Sequence, residues 1–196
     1  MSHLRLRRFF ETASWVVAAA SLAFASPGPS KAGKASAEQV ERGRYLVTFG
    51  GCNHCHSPKA MSPKGPVPHP MKTLSGHIAE SKLPEIPGGA LGPDKWAALT
   101  NADMTAWVGP WGVSFASNLT PDPATGLGAW TEDVFIKTLR TGKHMGTGRQ
   151  LLPPMPWEDI GKLTDQDLKD IFAYLMSIPA VRNPVPQPIP PQGGQH

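Results

Sequence analysis

Apolar and polar positions recur at helical spacing in three stretches of this chain. The first opens at Ser36-Ala37-Glu38-Gln39, where the serine and the glutamine stand as a capping box requires, and predicts a helix to about Phe49, stopped by Gly50-Gly51. Val40, Gly43 and Val47 share one face of it. A glycine inside a helix costs about 1 kcal/mol relative to alanine, so Gly43 marks a place where a second helix crosses closely. The second stretch is capped by Thr131 and runs through Leu139, with Val134, Phe135 and Leu139 turned inward and Thr141-Gly142 ending it. The third opens at Thr164-Asp165-Gln166-Asp167, a capping box with Asp in place of Glu. Leu168, Ile171, Phe172, Leu175 and Met176 follow at i, i+3, i+4, i+7 and i+8, and Pro179 closes it. Met176 reads as a core residue of that face. From Ser57 to about Gly112 no period survives, because eight prolines from Pro58 to Pro93 interrupt it; Asp94 to Leu99 is the one short helix expected there.

Composition adds a reason for this pattern. Of 196 residues, 22 are proline, about twice the usual share, so the chain favours fixed loops over long elements. That suits one domain wrapped around a flat cofactor. Residues 1–25 carry a basic head (Arg5, Arg7, Arg8), an alanine-rich apolar run from Ala13 and a small-x-small site at Ala23-Phe24-Ala25, the three parts of a secretory signal peptide. An uncleaved anchor is the alternative, but the run is short for a span of about 20 residues. General secretion fits better than a twin-arginine route, since Glu11 spoils the apolar run after the arginine pair. Losing three arginines and one glutamate with the leader lowers the formal charge from +4 to +2. No basic stripe remains, which argues against nucleic acid as a partner. Residues 26–35 read as a flexible lead-in, 36–181 as the folded domain with an irregular insertion over 58–112, and 182–196 as a proline-rich disordered tail.

The chemistry is concentrated in Cys52-Asn53-His54-Cys55-His56, which holds both cysteines of the chain. Two thiols two residues apart, with a histidine directly after the second, form the attachment pattern of a c-type haem: the thiols add to two vinyl groups and the imidazole faces the iron. A zinc site needs a second ligand pair, which the chain lacks. A thioredoxin-like pair would start a helix after a strand, whereas this motif ends a helix and runs into prolines. His54 reads as a solvent-facing position within the motif. One covalent haem c is therefore expected on Cys52, Cys55 and His56. The sixth iron position suits a methionine, which stabilises ferrous iron, and Met61, Met71, Met104, Met145, Met155 and Met176 all follow the motif. Prolines lock the backbone on both sides of Met155 in Leu151-Leu152-Pro153-Pro154-Met155-Pro156-Trp157. Met145, beside His144 in a glycine-containing turn, is the runner-up.

Taken in order, these motifs also carry a family resemblance. Gly43-x-Tyr45-Leu46 followed by Gly51-Cys52-x-x-Cys55-His56-Ser57 resembles the opening of class I cytochromes c. Asn118-Leu119-Thr120-Pro121-Asp122-Pro123-x-Thr125-Gly126-Leu127-Gly128-x-Trp130, and Leu152 to Trp157 with the closing helix, resemble bacterial exported monohaem cytochromes, including cytochrome subunits of membrane-linked dehydrogenases. The resemblance covers residues 38–182. It implies an all-α, cytochrome c-like fold whose first and last helices cross at Gly43 and Val47 against Ile171 and Leu175, around one haem. It implies Met155 as the distal ligand, so that His56 and Met155 are the metal ligands. It places Asn118, Thr120 and Trp130 either near the haem edge and propionates or in a packed turn. The chain departs from compact members in its long, proline-rich segment from Pro58 to Trp111.

Two functions follow from these readings. His/Met ligation leaves no open iron position, which gives an electron carrier or electron-transfer subunit cycling Fe(III)/Fe(II), with no bond chemistry of its own. Its partners would be redox proteins in the periplasm (a dehydrogenase, an oxidase or another cytochrome), in a complex that could be membrane-associated. With a labile sixth ligand the chain would instead be a haem-based sensor or a small peroxidase-like enzyme, using His144, His77 or His69 as distal groups.

Overall fold

Serine and glutamine at the start of the first helix satisfy each other's backbone amides. In the computed structural model, which describes residues 35–191, the Gln39 amide donates to Ser36 Oγ and the Ser36 amide to Gln39 Oε1, both at 3.1 Å. Helix α1 (Ala37–Phe49) follows. The expected signal peptide, the expected lead-in through residue 34 and residues 192–196 lie outside the described residues.

Helix α5 (Asp165–Ser177) is capped by half of the expected box. Thr164 Oγ1 accepts from the Asp167 amide at 3.1 Å. The Asp167 carboxylate, one methylene shorter than a glutamate, does not return to the Thr164 amide; it accepts the Thr164 hydroxyl at 2.9 Å and pairs with Arg42 of α1 at 2.9 Å. Helices α1 and α5 cross at Gly43. A Cβ there would lie 1.8 Å from the Asp170 carbonyl oxygen and 2.8 Å from Tyr174 Cβ, so only glycine allows the approach. The partners of Gly43 are Asp170 and Tyr174, each one residue before the expected Ile171 and Leu175. Those two face the core instead, with Val47, Leu74, Leu127, Phe135, Leu139 and Leu168. Met176, expected in the core, is exposed, because the buried stripe runs through Leu168, Ile171 and Leu175.

Helix α3 (Glu132–Thr141) starts at Thr131, whose hydroxyl accepts from the Val134 amide, and extends two residues past Leu139 to the left-handed Gly142. It adds Phe135 and Leu139 to the core, and Phe135 packs on Phe172 of α5 with ring centroids 5.3 Å apart. Three short helical turns complete the described helical part: α2 (Cys52–His56), a 3₁₀ turn at His144–Gly146 and α4 (Trp157–Ile160).

An all-α fold is corrected here to a mostly helical one with two small sheets. The segment expected as irregular contains the hairpin β1 (Lys59–Ser62) and β2 (Gly65–Pro68), and leads into the antiparallel sheet β3 (Leu99–Thr100), β4 (Ala106–Gly109) and β5 (Gly112–Phe115). Prolines are tolerated in β2 because a two-stranded ribbon leaves one side of each strand without a ladder partner. Strands of two to four residues are too short to give a legible period. Asp94 to Leu99 forms turns and extended chain, not a helix.

The tail from residue 182, expected as disordered, is fixed as far as residue 191. Asn183 is buried, and its Nδ2 donates to the carbonyls of Ser75 (2.8 Å) and His77 (2.7 Å) while its Oδ1 accepts from the Ala79 amide (3.2 Å). Farther along, Ile189 and Val113 exchange two backbone hydrogen bonds of 2.8 and 2.9 Å. Among the described residues no helix is long and apolar enough to cross a membrane.

Candidate functional site

The two glycines before the motif set its direction. The Gly50 amide donates to Leu46 O and closes α1, and Gly51 then turns the chain in the left-handed region (φ 65°). A side chain at Gly51 would strike His54 Nδ1, 2.8 Å from the position of its Cβ. The chain enters α2 as a separate helical turn, so Cys52–His56 is a helix of its own rather than the end of α1. One turn places Cys52 and Cys55, three residues apart, on the same side. Both thiols are free and line one cavity together with His56. Burial pushes both thiols above their ordinary range, and a nearby ammonium opposes this at Cys55.

His56 is buried, with Nδ1 2.8 Å from the carbonyl oxygen of Ser117. A carbonyl can only accept, so Nδ1 carries the proton and Nε2 keeps its lone pair. Burial also holds the imidazole below its ordinary pKa, favouring the neutral ring that a metal needs. The turn is braced from several directions. The Ser57 hydroxyl donates to Asn53 Oδ1 and accepts from the Leu74 amide, both at 2.8 Å, and the Gly76 amide donates to His56 O at 2.8 Å.

The cavity has a volume of about 370 Å³, and its walls are mainly apolar. The motif forms one part of its wall, β4–β5 and the chain to Leu119 another, and the loop Leu151–Pro156 a third. Ser114 Oγ donates to Pro153 O at 2.6 Å, so β5 fixes that loop. Met155 lines the cavity from the loop and packs partly buried against the core. Met104 lines it too, from a left-handed turn (φ 58°) before β4. Met61, Met71 and Met145 do not, and are 80%, 78% and 48% exposed. The donors fit a haem: two thiols one turn apart, an imidazole with a free lone pair and a thioether border one apolar space.

Three histidines that could serve as distal groups lie elsewhere. His77 is buried behind Phe115, its Nδ1 2.9 Å from Thr105 Oγ1. His144 packs edge-on to Trp130, and His69 Nδ1 accepts from the Met71 amide. None of them lines the cavity. His54 is exposed at its rim. Asn118 and Thr120 form the packed turn rather than a cavity wall: Asn118 Nδ2 donates to Val181 O at 2.8 Å, and Asn118 Oδ1 accepts from the Thr120 amide and hydroxyl.

Sequence reasoning did not single out Ser117, Ser114, Trp107 or Arg149. The first acts through a backbone carbonyl, which carries no residue signature. The others reach the cavity only through the sheet and the distal loop. Arg149 has no ion pair among the described residues.

No family model matches the chain. It is 30% identical over 158 residues to a subunit of nicotinate dehydrogenase from Pseudomonas putida, covering 81% of this chain and 10% of that protein. It is 34% identical over 161 residues to the cytochrome c subunit of alcohol dehydrogenase (quinone) of Gluconacetobacter polyoxogenes, covering 81% and 26%. To the gluconate 2-dehydrogenase cytochrome c subunit of Pantoea cypripedii it is 29% identical over 137 residues, covering 70% and 22%. The chain thus spans between 10% and 26% of the length of these relatives.

Proposed function

The chain belongs to the bacterial c-type cytochromes related to the cytochrome c subunits of dehydrogenases, and from that premise we propose that it is an electron-transfer protein holding one covalent haem c. In this reading Cys52 and Cys55 are the thioether anchors, His56 the nitrogen ligand and Met155 the sulfur ligand. Bound there, the haem supplies a one-electron iron couple. The observation that carries the proposal is the convergence of Cys52, Cys55, His56 and Met155 on one apolar cavity.

The surrounding residues have separate roles. The Ser117 carbonyl orients His56 through Nδ1 and strengthens Nε2 as a donor. Pro153, Pro154 and Pro156 limit the loop's freedom and keep the Met155 thioether in place. Trp107, Phe115 and Leu119 keep water from the apolar faces, and Arg149 is a cation suited to the acidic edge of the macrocycle. Held by His56 and Met155, the iron would have no position left for substrate, so we read the chain as a carrier or subunit rather than an enzyme. The relatives' names make a dehydrogenase the donor of choice. The cytochrome domain starts at residue 36 and takes in the packed tail as far as residue 191, residues 1–25 direct export, and the site of action is the periplasm, in solution or in a membrane-associated complex.

The test is expression in a host that attaches haem c. The expected product carries one haem per chain that survives denaturation. Its ferric form shows the weak far-red band of thioether ligation, lost in Met155→Ala and kept in Met104→Ala and Met145→Ala. A reduced wild-type protein that binds carbon monoxide readily would refute the carrier reading.

A further inference from the structure

Lys59 lies three residues after His56, at the start of β1, and its side chain turns back under the haem motif. Helix α2 ends abruptly, since Ser57 is extended (φ −123°, ψ 125°), and its last carbonyls lack helical partners. The Lys59 ammonium takes them. Nζ donates to Ser57 O at 2.6 Å, to His54 O at 2.7 Å and to Asn53 O at 3.3 Å. A cation at a helix C-terminus is favoured by the backbone dipoles, and here three carbonyls use all three donors of the ammonium. The Lys59 amide is held in turn by Asp103 Oδ1 at 3.1 Å, which comes from the turn before β4. Lys59 is partly buried, and its ammonium lies 2.7 Å from the His54 carbonyl, which belongs to the peptide bond leading into Cys55, so the charge sits close to the second anchor.

We propose that Lys59 is a positioning residue that also acts electrostatically. It fixes the C-terminal end of the Cys52–His56 turn and holds a positive charge at the His54 carbonyl, next to Cys55, that raises the reduction potential of the haem. Asp103 works against it, as the carboxylate that anchors the same residue and offsets part of its charge. The inference rests on the haem reading above. The step concerned is the uptake of one electron from the donor protein, iron(III) becoming iron(II), with no bond made or broken. An electron added near a fixed cation in a region of low dielectric is stabilised more than in water.

The experiment is equilibrium redox titration of wild-type, Lys59→Met, Lys59→Arg and Asp103→Asn holoproteins, with haem content measured for each. Lys59→Met is expected to lower the ferrous-to-ferric ratio about tenfold at fixed ambient potential, about 59 mV for one electron. Lys59→Arg keeps the charge and is expected to stay within about twofold of wild type, whereas Asp103→Asn raises the ratio. Opposite signs for Lys59→Met and Asp103→Asn are what a packing role would not produce. The proposal is overturned if neither ratio moves, or if both fall. Should Lys59→Met yield no holoprotein, a rise in Asp103→Asn with Lys59→Arg unchanged supports the proposal, and the absence of that rise refutes it. Wild-type protein without covalent haem would instead refute the reading beneath it.

Discussion

His56 and Ser117 are 61 residues apart in sequence, yet the Nδ1 of the first lies 2.8 Å from the carbonyl oxygen of the second. The whole insertion lies between them. The motif supplies the imidazole, but the chain that follows β5 decides which of its nitrogens is free. The long segment between them is not an appendage to the site, because it supplies Met104 and Trp107 to the cavity wall.

Ligand identity can be read from the potential. If Met155 is the sulfur ligand as proposed, Met155→His would replace the thioether that favours ferrous iron with an imidazole, and the midpoint potential should fall by well over about 59 mV, a tenfold change for one electron. Redox titration of that variant beside Met104→His, which should leave the potential near wild type, separates the two thioethers of the cavity.

Gly43→Ala tests the helix crossing. Its Cβ would meet the Asp170 carbonyl 1.8 Å away, a backbone atom that no rotamer change can move. A loss of about 3 kcal/mol is expected, at the upper end for overpacking. Thermal unfolding should show it as a lowered Tm, whereas Gly88→Ala, which meets nothing within 4 Å and has no left-handed backbone to strain, should cost far less.

His77 gives the fold a pH dependence. Burial lowers its pKa, Asp103 partly opposing, so the folded protein holds it neutral while the unfolded chain binds a proton near pH 6.5. Its folded pKa is depressed, so the contribution is present above pH 6.5 and is lost as pH falls through the folded value. Urea midpoints measured from pH 7.5 down to 5 should fall in the wild type and fall less in His77→Gln.

Asn183→Ala should release the tail. The change leaves two buried carbonyls, of Ser75 and His77, without their donor, and about 2–3 kcal/mol is expected to be lost. Faster hydrogen exchange at Ala79 and earlier proteolysis after residue 181 would check it; protection equal to wild type would count against the tail as a strap.

The sequence made the helical frame legible because its signals are local. Ser36 with Gln39, Thr131, Gly142 and the stripe through Leu168, Ile171 and Leu175 each act within one or two turns. Gly43 was legible for a different reason, as a residue unfavourable in a helix unless something crosses there. The hairpins were hidden because four-residue strands such as Ala106–Gly109 have no measurable period, and the prolines of β2 point away from strand. The tail misled through composition. One asparagine, Asn183, orders it by meeting three backbone groups around residues 75–79, and that is a long-range fact. For the site, Cys52, Cys55 and His56 could be placed from five adjacent residues, whereas Ser117, Arg149 and Met104 join them only through the folded chain.

The hydrogen bond from Ser114 to Pro153 has a consequence for speed. The loop that carries Met155 is stiffened by its own prolines and tied at one of them to β5, which is tied in turn to Ile189. A thioether mounted this way shifts little when the charge inside the cavity changes by one. In the proposed carrier the nuclear rearrangement accompanying each electron is therefore small, which leaves distance and driving force to set the rate.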